Sequence, residues 1–167
     1  MRRAALLVLL LAAAAASGCY GFRPLYGAPS GAAAGELEAI QIAAIPGRLG
    51  QVVRNGLLDR LTPFGEPASP RFVLSVSLSE AKQGSALERN ARVTRFSLNL
   101  TANYDLTDAA THRRITGGLV RATAAYSVVS SPFANVIAER DARDRTASDI
   151  ADEIKTRLAV HFVADGP

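Results

Sequence analysis

The sequence predicts an α+β fold, with two helices packed on one face of a four-stranded mixed sheet in the order β-α-β-β-β-α. Three observations carry this reading. Three segments between Arg71 and Val129 alternate apolar and polar residues with period two, the mark of strands with one buried and one wet face. Two other segments, after Pro46 and after Ser131, repeat apolar residues at helical spacing. The main apolar stripe of all three strands falls on even-numbered positions, which leaves a single apolar face for both helices to cover.

Residues 37–45, LEAIQIAAI, read as the first strand, closed by Pro46. RLGQVVRNGLLDRL then sets Leu49, Val52, Val53, Leu57 and Leu61 on one side of a helix that ends before Pro63. In RFVLSVSLSE, Phe72, Leu74, Val76 and Leu78 point one way, and Arg71, Ser75, Ser77 and Ser79 the other. RVTRFSLNLTANYDL repeats the pattern: Phe96, Leu98, Leu100, Ala102, Tyr104 and Leu106 share the apolar side, opposite Arg95, Ser97, Asn99, Thr101, Asn103 and Asp105. RRITGGLVRATAAYSVV is weaker, with Val120, Ala122, Ala124, Tyr126 and Val128 on the core side and Arg121 and Thr123 opposite. Gly117-Gly118 predicts a bulge or break near its start. Ser131 caps the last helix, Pro132 is its first residue, and it runs to about Phe162. Its apolar stripe is read as Ile137, Ala147, Ile150, Ala151, Ile154, Leu158 and Phe162, and ERDARDR as a solvated charged stretch.

Ahead of this domain stands an export signal. Arg2 and Arg3 form a short basic region, Ala4 to Ala16 an apolar run of 13 residues, and Ser17-Gly18 supply small side chains before the only cysteine, Cys19. A membrane-spanning helix needs roughly 20 apolar residues, so the run is short for a permanent anchor. Ala16-Ser17-Gly18-Cys19 resembles the bacterial lipobox, in which the cysteine is lipidated and becomes the mature amino terminus, although leucine is usual where this chain has Ala16. The alternative is a secreted protein with Cys19 as a free thiol, a liability in an oxidising compartment. Two or three acyl chains would make attachment effectively permanent, each buried CH2 adding about 0.8 kcal/mol. Tyr20 stands where the aspartate of inner-membrane retention would be, which points to the periplasmic side of the outer membrane. The expected division is a signal peptide at 1–18, a lipidated terminus and tether at 19–36, and one α/β sandwich domain at 37–167.

The net charge of +4 includes Arg2 and Arg3, so the mature chain carries 17 basic and 15 acidic residues, and nucleic acid is not an expected partner. Positive charge gathers in residues 81–130, with 7 basic against 3 acidic side chains. His112, in an expected turn, and His161, near the end of the last helix, have no cysteine, histidine or carboxylate at metal-ligand spacing. No nucleophile elbow, phosphate loop or dinucleotide glycine pattern occurs, and neither an enzyme nor a cofactor is expected.

The lipobox followed by Gly21-Phe22-Arg23-Pro24-Leu25-Tyr26-Gly27, with this order of elements after it, resembles the lipopolysaccharide-assembly lipoprotein family LptE in its alphaproteobacterial form. The resemblance implies an outer-membrane lipoprotein that sits in the lumen of the β-barrel LptD, helps it fold and binds lipopolysaccharide in transit. Candidate contacts with lipid phosphates come from strand parity instead: Arg95 and Arg121, joined by Arg92 and Arg113 near strand ends. An ordinary solvated sheet face is the competing reading of these arginines. At the level of the whole chain, a periplasmic substrate-capturing lipoprotein of an ABC-type lipid transporter and a purely structural envelope lipoprotein also stand.

Overall fold

The computed structural model describes residues 32–87 and 93–164. They form α1 (Ala32–Glu38), β1 (Ile40–Ile42), α2 (Gly47–Leu61), β2 (Phe72–Leu87), β3 (Val93–Asp108), β4 (Arg114–Ser127) and α3 (Pro132–Ala164). The strands lie in the order β1-β2-β3-β4, with β1 parallel to β2 and the other two pairings antiparallel. The α+β reading with a four-stranded mixed sheet holds.

One helix escaped the sequence reading. α1 takes in residues 32–36, read as the end of the tether, and β1 shrinks to Ile40–Ile42. The alanines here are good helix formers, and Leu37 enters the core, which supplies the tertiary packing a seven-residue helix needs.

Parity is obeyed throughout. Leu74, Leu98, Leu100, Ala102, Leu106 and Val120 are almost fully buried on the even-numbered face, where α2 contributes Val53, Leu57 and Leu61 and α3 contributes Ile150, Ala151, Ile154 and Leu158. Phe72 and Phe162 close this core with ring centroids 5.3 Å apart. Gly50 lets α2 start beside Ile45, since a Cβ there would lie 2.6 Å from the Ile45 carbonyl oxygen. Two salt-bridge arms, Arg60 to Asp152 at 2.6 and 2.8 Å, fasten α2 to α3, and Arg60 also donates to Ser148.

The last helix starts as expected, with the Ala134 N–H donating to Ser131 Oγ at 3.4 Å. Ile137, assigned to the core stripe, is instead 47% exposed. The reason is length: α3 outruns α2, so its first turns have no neighbouring helix on that side. The expected irregularity in β4 falls at Ile115, skipped where Leu106 pairs with Thr116 and Thr107 with Arg114. Gly117 answers a separate need: a Cβ there would meet the Tyr104 carbonyl at 2.6 Å and Asp105 Oδ1 at 2.5 Å, where Arg114 pairs with Asp105.

Candidate functional site

The odd-numbered face of the sheet is the larger candidate surface. Register aligns Ser77 with Asn103, Ser79 with Thr101, and Thr101 with Arg121, so hydroxyl, amide and guanidinium groups from three strands run side by side. Thr123 Oγ1 donates to Asn99 Oδ1 at 2.8 Å, and Ser77 Oγ reaches the Asn103 carbonyl at 3.5 Å. α2 and α3 pack on the even-numbered side, so among the described residues no helix covers this face. Its hydroxyl, amide and guanidinium groups suit contact with a hydrated surface or an ionic headgroup.

The candidate arginines do not converge. Arg95 and Arg121 are both exposed on the odd-numbered face, as parity requires. Arg95 pairs opposite Ser127, six positions along β4 from Arg121, or about 20 Å at 3.3 Å per residue. Arg113 lies at the other end of the sheet, in the β3–β4 turn, where His112 adopts φ 55°. Asp108 organises that turn by accepting from the N–H groups of Ala110 and Thr111 and from the Thr111 hydroxyl, at 2.7–3.0 Å, and the Thr111 N–H above all holds its carboxyl below the usual range. Arg92 and Cys19 lie outside the described residues. A single small anion therefore cannot engage Arg95, Arg113 and Arg121 together.

A second cluster, missed by the sequence reading, sits on the helix side at the Arg95 end. Lys82 Nζ lies 2.6 Å from Glu139 Oε2, 4.6 Å from the Phe96 ring centroid and 5.3 Å from that of Tyr126; the two rings stack 5.8 Å apart. The Tyr126 hydroxyl donates to the same Glu139 oxygen at 2.9 Å. Arg143 grips Glu80 with two nitrogens at 3.0–3.1 Å and also reaches Glu139 at 2.7 Å. The Lys82 hydrogen bond lowers the Glu139 pKa and the Glu139 bond raises that of Lys82, while burial raises that of the Tyr126 hydroxyl. Part of ERDARDR thus faces the sheet rather than water. Beside this cluster Val129, Phe133, Val136 and Ile137 expose 47–76% of their surface, an apolar patch next to basic side chains. The signal available in the sequence was Lys82 itself, which shares the even parity of Leu74, Val76 and Leu78 and so belongs to the helix side.

Among the described residues no helix is long and apolar enough to cross a membrane, and no three His, Cys, Asp or Glu side chains group as metal ligands.

A sheet sealed by two helices on one face and, among the described residues, covered by no helix on the other defines an α+β sandwich module. Solved lipoproteins share this architecture. One from Caulobacter crescentus CB15 superposes with a TM-score of 0.70 at 23% identity, covering 82% of this chain and 99% of that one. The rare lipoprotein B of Shewanella oneidensis gives 0.59 at 13% identity over 75% of this chain and 96% of that one. A minor lipoprotein of Acinetobacter baumannii gives 0.59 at 17% identity over 74% and 92%. An uncharacterized protein of Rickettsia prowazekii (strain Madrid E) is 26% identical over 128 residues, 77% of this chain and 80% of that protein. Residues 37–158 match the family LptE, lipopolysaccharide-assembly, and the chain belongs to that family.

Proposed function

We propose that this chain is an outer-membrane lipoprotein, anchored on the periplasmic side through lipid on Cys19, that binds and supports assembly of the β-barrel LptD and assists delivery of lipopolysaccharide to the outer leaflet. The observation that carries this is the family match over residues 37–158 on a domain whose sheet keeps one face open and polar. A polar face rich in Ser, Thr and Asn suits contact with the hydrated interior of a barrel. In this reading Arg95 and Arg121 each meet a separate phosphate, since their spacing along the sheet is too great for a shared one. Arg113 meets the partner or lipid at the opposite end, and Arg92 belongs with Arg95 by sequence. The work is binding and assembly, without a catalytic step.

Co-purification tests the reading. A tagged chain isolated from envelopes is expected to bring down an outer-membrane barrel in one-to-one ratio, and depletion of the chain to lower the amount of correctly assembled barrel. Recovery of an inner-membrane ATPase complex, with barrel levels unchanged, would instead favour the ABC-transporter role. Mass spectrometry of the same preparation checks the anchor. Acyl additions on a peptide beginning at Cys19 are expected, and an unmodified Cys19 thiol contradicts them.

A further inference from the structure

We propose that the first turns of α3 are the docking site for the barrel partner, through an apolar stripe of Phe133, Val136 and Ile137 that continues into Arg140 and Asp144. The inference rests on the barrel reading above and names the surface that would carry it. The stripe is the uncovered continuation of the core side of α3. Steps of four and three residues lead from Phe133 through Ile137, Arg140 and Asp144 to Ala147 and on to Leu158, so these positions share one side of the helix. From Ala147 onward that side is buried against α2: a Cβ on Gly56 would lie 3.3 Å from the Ala151 Cβ, and Arg60 pairs with Asp152. Before Ala147 it is exposed. β1 has ended there too, since it pairs with β2 only as far as Leu74, whereas Glu139 and Arg143 stand over Lys82 and Glu80. These turns are nonetheless pinned. Ser131 caps them, the Asn135 amide makes two bonds to the Val129 backbone at 2.8 and 2.9 Å, and Glu139 is tied to Lys82 at 2.6 Å. An exposed aromatic on a fixed backbone loses little freedom on binding, which suits an interface anchor.

Position and charge select the occupant. Phe162 packs on Phe72, at the end of the sheet where Arg71 binds Glu36 of α1, so the chain toward Cys19 leaves the domain near the C-terminal end of α3. Phe133 stands 29 residues before Phe162, or about 44 Å away at 1.5 Å per residue. The stripe therefore lies at the end of the domain away from the anchor, where a partner protein is met in preference to the leaflet that holds Cys19. Arg140 and Asp144 are exposed and enter no ion pair among the described residues, whereas Arg143 pairs with Glu139 and Arg145 with Asp141. The matching surface is a barrel segment with apolar side chains followed by a carboxylate and then a cation.

Photocross-linking of the full chain in intact envelopes tests the assignment. The photoreactive residue p-benzoylphenylalanine replaces Phe133 or Ile137 in turn. As controls it replaces Val160 or Val163, apolar and half-exposed on the same helix near the anchor end. The expected result is an adduct with the barrel, several-fold stronger from the stripe than from the controls. Arg140→Asp combined with Asp144→Arg keeps the net charge, and should lower the Phe133 adduct several-fold while leaving the thermal midpoint unchanged. Where the wild-type chain brings down the barrel, equal cross-linking from stripe and control positions overturns the inference and leaves the proposed function standing. An adduct undiminished by the charge swap, or stripe adducts formed only with lipid or with a second copy, has the same consequence. A wild-type chain that brings down no barrel removes both.

Discussion

The two faces of this sheet are made from the same strands by alternating residues, yet they do different things. The even-numbered face is sealed by α2 and α3 and carries the fold. The odd-numbered face carries serine, threonine, asparagine and arginine, and among the described residues no helix covers it. Because side chains alternate strictly along a strand, stability and recognition can vary independently, one on each face. The closed face is itself graded. Where both helices cover it, leucine and isoleucine fill the space; where α3 runs on alone, Lys82, Glu80, Glu139 and Arg143 replace them.

That contrast is broken most strongly in the double-helix region. Leu100→Ala or Ile154→Ala, each removing a fully buried side chain, is expected to cost about 2–5 kcal/mol, read as a fall in the denaturant midpoint. The single-helix end is softer. Glu139→Ala leaves Lys82 and the Tyr126 hydroxyl without their shared acceptor and is expected to cost about 1–2 kcal/mol.

Acid separates the two regions further. The folded Glu139 carboxyl has its pKa depressed, chiefly by the Lys82 hydrogen bond. Its contribution is therefore complete above the unfolded carboxylate value of about 4.3, and is lost as pH falls through the lower folded value. Hydrogen exchange in residues 133–143 is expected to speed up on acidification before that in residues 147–158, and Glu139→Gln to shrink the effect. Asp152, held low chiefly by Arg60, contributes with the same sign between α2 and α3. Uniform exchange along α3 at every pH would erase the grading.

Much of the fold was legible because period two and period 3.6 are physical consequences of burial. Every even-numbered apolar residue assigned to β3, from Phe96 to Leu106, turned inward, and the cap at Ser131 formed. What stayed hidden depended on tertiary reach. α1 is short and held by packing of Leu37, so local pattern alone does not announce it. Ile137 fits the apolar period of α3, but α2 ends before reaching it, and helix length in space is not encoded in the spacing of residues within one helix. The arginines were placed on the correct face by parity, while their separation along the sheet followed only once β3 and β4 were aligned. The Lys82 cluster joins residues 57 positions apart in sequence, a pairing that no local motif announces.

In the proposed function the open face meets phosphate while the closed face carries the fold. A lipopolysaccharide titration of the soluble chain, residues 20–167, tests it most directly by comparing the wild type with the Arg95→Ala, Arg121→Ala double variant. Both side chains are exposed, so stability should change by no more than about 0.5 kcal/mol per site. Charge-assisted contacts contribute on the order of 1.5–3 kcal/mol each, so affinity should fall at least tenfold. Equal affinity, with both proteins folded, would contradict the account and return these arginines to a solvated face.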